Sequence, residues 1–416
     1  MMLLKQRLDK IWFLLLFVYI IASYIAQDVL LPASVTSILL YVFLAFSAVC
    51  IFVSGKIQFS PFLLWECIVM VLALFAMLYS PKFSVFDGTY YAMLVNFILV
   101  FIMSQMPLSE KRLSTIFCVY VFAAALLIIL LYCTGNLEDS SASGRLGEEL
   151  FGNSNTLAFM LMASSIYAFW ILLTKNNGFQ KLFSFFCLVL IYIGMFLSGG
   201  RKFVVVPLVF AYTILLGKRD KKGKLHPILY TIIFLGLMYL VYYLAMNVPA
   251  FYESIGSRFE GAFSLVDDEY SADGSTLKRM QMIEAAFEQW KKRPIFGYGF
   301  DSFKYYNAES VTGEFYYAHN NFLELLYNQG VVGFMAYYSF YIYLIWFAWK
   351  KKTDSLHKGL VVGFFISSMF FEFFCVTYSA TVTQIMIFLV YYSLIENSSS
   401  NMIDLHKKTG EKYVKY

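Results

Sequence analysis

Residues 179–216 read FQKLFSFFCLVLIYIGMFLSGGRKFVVVPLVFAYTILL, two apolar runs on either side of the polar break Ser198-Gly199-Gly200-Arg201-Lys202. The first run, Phe179–Leu197, has the length and apolarity of a helix crossing ~30 Å of hydrocarbon. The second, Phe203–Leu216, holds 14 residues. At about 1.5 Å per residue it covers ~21 Å, so Arg201 and Lys202 are drawn to headgroup depth or slightly below it. Two cations beside a flexible glycine pair suit a phosphate or diphosphate at the membrane surface; snorkelling anchors are the plainer alternative. Pro207 is expected to kink the short helix.

Outward from this stretch the same pattern repeats to both ends. The 416 residues are 60% hydrophobic, 20% aromatic and only 14% charged, where a soluble fold carries about 25% charge. That excludes a set of water-soluble domains. The expected fold is an all-α polytopic membrane protein of about 12 transmembrane helices with one large extracytoplasmic loop containing an amphipathic helix. Residues 1–134 give helices 1–5, and 135–246 give helices 6–9 with polar outer loops. Residues 247–330 form the large extracytoplasmic loop, 331–395 give helices 10–12, and 396–416 a basic cytoplasmic tail. The last two spans, Gly359–Thr377 and Ala380–Ile395, leave Tyr378 and Ser379 as a tight turn. Met1–Lys10 before Ile11–Ala26 imitates a signal peptide, but no small-residue cleavage site follows, so it reads as a span that stays attached.

Charge gives the sidedness. Net charge is +5, too small to suggest nucleic acid as a partner. Of the 32 Lys and Arg, 21 fall in segments on the side of the N-terminus and four in the short loops opposite. The other seven lie in the long loop 247–318, which by its length is exempt from the positive-inside rule. Both termini are therefore expected in the cytoplasm. The six cysteines lie within or beside apolar segments without C-x-x-C spacing, as small core residues do, and neither a disulfide nor a metal role is expected.

Polar residues collect in four places, all outer by this topology. The loop Gly135–Asn155 carries Arg145, Asn153 and Asn155, with glycines for turns and amides for hydrogen bonds; a generic loop and cap reads equally well. The break at Ser198–Lys202 is the second. In the long loop, Ser275 or Thr276 caps a helix running to about Lys292 and ended by Pro294. Its Leu277, Met280, Ile283, Phe287 and Trp290 form an apolar face suited to lying on a membrane or covering a cavity, with Arg279 beside that face. Arg293-Pro294-Ile295-Phe296-Gly297-Tyr298-Gly299 follows, and its G-x-G alone is weak evidence for phosphate binding. The fourth place is His319-Asn320-Asn321 through Gly330. His319 is the one histidine expected on the outer face, and so the one neutral-pH base there. Glu66 and Glu372 interrupt spans and are costly unless they serve a purpose; Glu66, near the inner end of its span, reads as reaching water. Asp267-Asp268-Glu269 lacks ligand-like spacing and reads as a solvated loop.

Ser198-Gly199-Gly200-Arg201, the string from Arg279 through Trp290 and Arg293 to Gly299, and His319-Asn320…Leu323…Leu326…Gly330-Val331-Val332-Gly333 together resemble the O-antigen polymerase and O-antigen ligase family. Arg145…Asn153…Asn155 resembles a further, polymerase-type feature. The resemblance implies a glycosyltransferase acting on undecaprenyl-diphosphate-linked glycans at the outer face of the bacterial cytoplasmic membrane, with no cofactor and no metal. It implies that Arg201 and Arg279 engage the donor diphosphate, with Lys202 and Arg293 as further candidates, and that His319 is the base for the acceptor hydroxyl. Arg145, Asn153, Asn155 and Asn320 become candidate glycan-binding or structural residues. The partners implied are the undecaprenyl-diphosphate-linked oligosaccharide, membrane lipids and a chain-length regulator protein. Guanidinium groups would stabilise a departing diphosphate, and a histidine near its ordinary pKa of ~6.5 would suit the surrounding pH. A lipid-linked oligosaccharide flippase is the rival of another class, but a carrier should place its polar groups near mid-membrane and show paired halves.

Overall fold

The computed structural model describes all residues except 1, 26–29, 87, 107, 137–144, 148–153, 176, 218–225, 257–273, 352 and 410–416, with helix backbone alone at 2–5, 226, 274–276 and 398–409. The described residues form helices and no strands. In chain order they are α1 (Met2–Ile25), α2 (Ala33–Ser54), α3 (Pro61–Met77), α4 (Gly88–Ser104), α5 (Glu110–Cys133), α6 (Ser154–Thr174), α7 (Gly178–Leu197), α8 (Arg201–Gly217) and α9 (His226–Asn247). After a short helical turn at Pro249–Gly256 come α10 (Gly274–Trp290), α11 (Phe303–Ser310), α12 (Asn321–Lys350), α13 (Ser355–Glu372) and α14 (Thr381–Thr409).

Among the described residues, seven helices are long and apolar enough to cross a membrane by length and composition, and α3 and α4 are shorter apolar helices. Large apolar side chains stand exposed along α2, α7 and α9, among them Phe52, Phe186 and Ile232, as expected where hydrocarbon rather than protein covers them.

Contacts sort the helix ends into two sets. Lys175 and Glu110, 2.8 Å apart, join the end of α6 to the start of α5. Gln58 and Gln105 exchange two bonds between the α2–α3 connection and the end of α4. Asp354, at the start of α13, pairs with Asn397 on α14. The opposite ends of these helices carry Asn155, the Ser198–Lys202 break and the stretch after Glu372, which meet as described below.

The pairing of α8 with α13 sets the site's position. Gly359 and Gly363, one helical turn apart, allow close approach: a Cβ at Gly363 would stand 2.5 Å from the Thr213 hydroxyl, and one at Gly217 would stand 3.0 Å from the Gly359 Cα. This small-xxx-small spacing brings helix backbones together in the absence of a hydrophobic drive between lipid-exposed helices. Pro207 lies inside α8, where its missing N–H leaves the Phe203 carbonyl without its helical donor.

Two expectations need correction here. The last two long helices are joined by residues 373–380, which are not helical, instead of by a two-residue turn at Tyr378 and Ser379. Asn321 holds this loop: its Oδ1 accepts from the Thr377 and Tyr378 N–H groups at 2.9 and 3.1 Å. Glu66 does not reach water; it is 4% exposed, and α3 is packed on α12 around it, with the Trp65 indole donating to the Ala336 and Tyr337 carbonyls.

Candidate functional site

The Ser198–Lys202 break is a clamped turn. Gly199 has φ +73°, and a Cβ there would meet the Ser254 carbonyl at 2.5 Å, so a side chain is excluded by both conformation and space. Arg145 Nε donates to the Ser198 carbonyl at 3.0 Å, Leu146 N–H donates to the Leu197 carbonyl, and Ser254 Oγ donates to the Phe196 carbonyl. The turn thus launches α8 with Arg201 and Lys202 in its first turn, where the positive end of the helix dipole adds to their charge. Lys202 Nζ donates to the Phe374 carbonyl at 2.9 Å, tying that first turn to the 373–380 loop.

The helix α10 starts at Gly274, beside the expected caps, and ends at Trp290. It turns Met282 and Ala286, both buried, toward Phe303, Ala318 and Tyr327. Of the apolar face read from the sequence, Leu277 and Phe287 stand exposed, while Met280 and Ile283 line the cavity described below. Lys278 pairs with Glu314 at 2.7 Å, and Gln289 Nε2 donates to the Tyr306 hydroxyl, fastening α10 to the segment that carries His319.

In the stretch 319–328 the three asparagines and Glu324 are all engaged by hydrogen bonds. Asn320 caps α12 by accepting from the Leu323 N–H and donates to the Phe373 carbonyl. Asn321 holds the 373–380 loop, as above. Glu324, 1% exposed, accepts from the Ala318 N–H at 2.7 Å and from Asn328 Nδ2 at 2.8 Å. Asn328 Oδ1 accepts from the Ser302 and Phe303 N–H groups. His319 is the exception. Its φ is +54°, in the left-handed region that a histidine visits at a cost of about 1 kcal/mol, and Glu324 and Asn320 hold the backbone on either side. Its ring lies 4.6 Å from that of Tyr317, and neither ring nitrogen meets a hydrogen-bond partner among the described residues.

These segments close on one cavity of about 460 Å³. Arg145, Arg201, Lys202, Arg279 and His319 all line it, with Asn155 at one margin and Met280, Ile283, Phe370, Phe373 and Phe374 supplying apolar wall. No acidic side chain lines it among the described residues. Burial, together with the neighbouring Arg279 and Lys202 cations, lowers the His319 pKa to about 3. The expectation of an ordinary value near ~6.5 is corrected accordingly: the imidazole is neutral across the physiological range, with one ring nitrogen left as an acceptor. Four cations and a neutral imidazole around a space of this size favour a small polyanion, and each guanidinium can take two of its oxygens at once.

The other candidates fall elsewhere. Arg293 is exposed, does not line the cavity and stacks its guanidinium over the Tyr298 ring at 4.8 Å. The glycine-rich string it opens is a strap over a break in α12. Gly330, with φ +63° and ψ −164°, interrupts that helix. The Tyr327 and Asn328 carbonyls freed there accept from the Tyr298 and Gly299 N–H groups, while the Val331 and Val332 N–H groups donate to the Pro294 and Ile295 carbonyls. G-x-G is used here for close backbone approach, since a Cβ at Gly297 would stand 2.4 Å from the Tyr327 carbonyl. Asn153 and Asp267-Asp268-Glu269 lie outside the described residues. His357 pairs with Asp354 at 2.9 Å at the opposite helix ends.

Sequence reasoning missed two participants and left a third, Glu372, without its partners. The 373–380 loop supplies two of the cavity's aromatic rings. Asn321 fixes that loop. Glu372, for which no partner was foreseen, accepts from the Tyr338 and Tyr341 hydroxyls at 2.7 and 2.8 Å and from Asn321 Nδ2 at 3.2 Å. A buried carboxylate one end of a helix away from an asparagine next to the candidate base is a signal, but only the fold reveals their adjacency. The Gly359–Gly363 spacing, by contrast, was readable in the apolar run.

Residues 185–338 match the model of a protein family described as O-antigen ligase. That range holds Arg201, Lys202, Arg279, Arg293 and His319, while Arg145 and Asn155 lie before it. A Haemophilus influenzae (strain Rd) protein, described as an uncharacterized protein, is 30% identical over 192 residues, covering 42% of this chain and 46% of the relative. The match thus spans about half the length of that curated relative.

Proposed function

We propose, from the match of residues 185–338 to a family described as O-antigen ligase, that the chain is a polysaccharide polymerase for O-antigen or capsule. It joins undecaprenyl-diphosphate-linked repeat units at the outer face of the cytoplasmic membrane, in a bundle of about twelve spans with both termini inside. The observation that carries this reading is the single cavity shared by Arg145, Arg201, Lys202, Arg279 and His319.

The chemistry follows from those groups. The donor's diphosphate sits among the cations, led by Arg201 and Arg279. A ring nitrogen of His319 takes the proton of the acceptor hydroxyl, whose oxygen bonds to the anomeric carbon. The carbon–oxygen bond to the diphosphate breaks, and its electron pair leaves with undecaprenyl diphosphate. Permanently charged groups aimed at the leaving oxygens stabilise the charge as it develops. The bound diphosphate also offsets Arg279 and Lys202, the two cations that depress the imidazole, so the base strengthens when donor is in place. One base facing one leaving group implies inversion at the anomeric carbon, and a product of retained configuration would refute it.

A second reading is favoured by the family description itself: a ligase moving the finished glycan to lipid A core or to a protein. The glycan ladder of a strain lacking the chain separates the two. A polymerase defect leaves carrier-linked single repeat units; a ligase defect leaves full-length polymer on the carrier. His319→Ala and Arg201→Ala should each reproduce the single-unit pattern, and failure of units to reach the outer face would point instead to transport.

A further inference from the structure

A second cavity, of about 500 Å³, adjoins the cationic one, with Asn155 on the lining of both. Its walls come from α1, α5, α6 and the 373–380 loop, and its character differs from its neighbour's. Tyr19, Tyr24, Tyr120 and Tyr167 face it together with hydroxyls such as that of Thr156, and none of its described lining residues is charged. Tyr317, whose ring touches that of His319, lines it too.

Two of these phenols are unusual. Tyr120 is 8% exposed and Tyr167 5% exposed, and neither hydroxyl has a hydrogen-bond partner among the described residues. Tyr24, in contrast, is satisfied by Ser164 Oγ at 2.8 Å and the Met160 carbonyl. A phenol that opens onto a cavity without a protein partner has its donor and its acceptor free for whatever the cavity holds. Unpaired phenols aimed into a space of ligand size therefore point to a ligand that brings its own hydroxyls.

We infer that this tyrosine-lined cavity seats an uncharged sugar of the acceptor unit, with its reactive hydroxyl turned toward His319 across the Asn155–Tyr317 border. The inference rests on the polymerase or ligase reading above and adds the chemical class the second cavity takes. A pyranose has apolar C–H faces for aromatic rings and a rim of hydroxyls for the phenols and threonines. The uncharged lining disfavours a uronate or a phosphate-bearing sugar here, since such an anion would lose its water without gaining a cation. A polyprenyl tail is the rival occupant, but it would leave the Tyr120 and Tyr167 hydroxyls unpaired.

The test uses the full chain in lipid nanodiscs and two probes: carrier-linked repeat units extracted from a strain lacking the chain, and sugar-free undecaprenyl diphosphate. Tyr120→Phe combined with Tyr167→Phe keeps both rings and removes both hydroxyls. It should weaken binding of the glycan-bearing lipid by about tenfold or more while leaving undecaprenyl diphosphate within about twofold. Thr156→Val, at the exposed rim of the same cavity, provides the same comparison if the double variant does not fold. Unchanged binding of the glycan lipid, equal loss for both probes, or tighter binding of undecaprenyl diphosphate would each overturn the inference. Arg201→Ala reports separately on the function reading: it should weaken both probes, and if it weakens neither, the diphosphate assignment fails whatever the tyrosines do.

Discussion

Arginines 279 and 293 look equivalent in the sequence and should behave very differently. Arg279 lines the cationic cavity and helps to depress His319; Arg293 is exposed and stacked on Tyr298. Removing a charged hydrogen-bond donor from a diphosphate costs about 1.5–3 kcal/mol, and donors that act on developing charge in a closed site reach about 10²–10³ in rate. Three other cations remain in the cavity, so Arg279→Ala should lower kcat/KM by about 10²-fold. Arg279→Lys restores the charge but not the planar fork, and should recover to within about tenfold of the parent. Arg293→Ala loses an exposed cation–π contact of about 0.5–1 kcal/mol, which acts on loop stability, and should stay within about threefold. The assay is chain growth by the purified protein in nanodiscs on native carrier-linked repeat units, read as initial rates across donor concentration. Equal losses for the two alanine variants would refute the placement of the diphosphate beside His319.

Three further outcomes follow from the geometry. A base is active when unprotonated, and lowering its pKa moves the loss of activity to lower pH; kcat/KM of the parent should therefore stay level from about pH 8 to about pH 5, and an inflection near ~6.5 would contradict the cavity's effect on His319. Asn321→Ala strands the Thr377 and Tyr378 N–H groups and one bond to the buried Glu372, at about 1–3 kcal/mol for each unsatisfied group; the melting temperature in detergent should fall by several degrees and chain growth should fall with it, whereas an unshifted melt would show that the loop is held by something else. Gly330→Ala places a Cβ 2.2 Å from the Ile295 carbonyl at a φ of +63°, so the folded protein recovered from membranes should drop sharply, and normal yield with normal activity would mean that the break in α12 is not obligatory.

Much of this was legible in the sequence because composition and charge act through simple rules. Apolar runs find the helices, the glycine-flanked Arg201-Lys202 pair marks a polar break at a helix end, and His319 stands out as a base near such an end. The 373–380 loop was not legible for a physical reason. Its residues Phe373 to Ala380 are mostly apolar, and hydropathy reports depth in a membrane but not whether the backbone there is helical. What breaks the helix is an amide from Asn321, more than fifty positions earlier in the chain, and no local pattern carries that information. The choice between Arg279 and Arg293 was hidden for a related reason: Arg279 sits on α10, whose packing brings it to the cavity, whereas Arg293 opens the strap over Gly330 and is turned onto Tyr298.

That strap has a consequence for how the protein is made. Residues 293–300 leave the ribosome before α12 does, so the strap must wait for the helix that completes it. The four backbone bonds across Gly330 form only after both partners have been delivered to the same compartment. His319 lies between them in the chain, in the turn just before α12 begins at Asn321, so the backbone around it is completed only with that step. A chain halted before α12 is inserted would already hold Arg201, Arg279 and His319 and still lack the strap that completes the backbone around them.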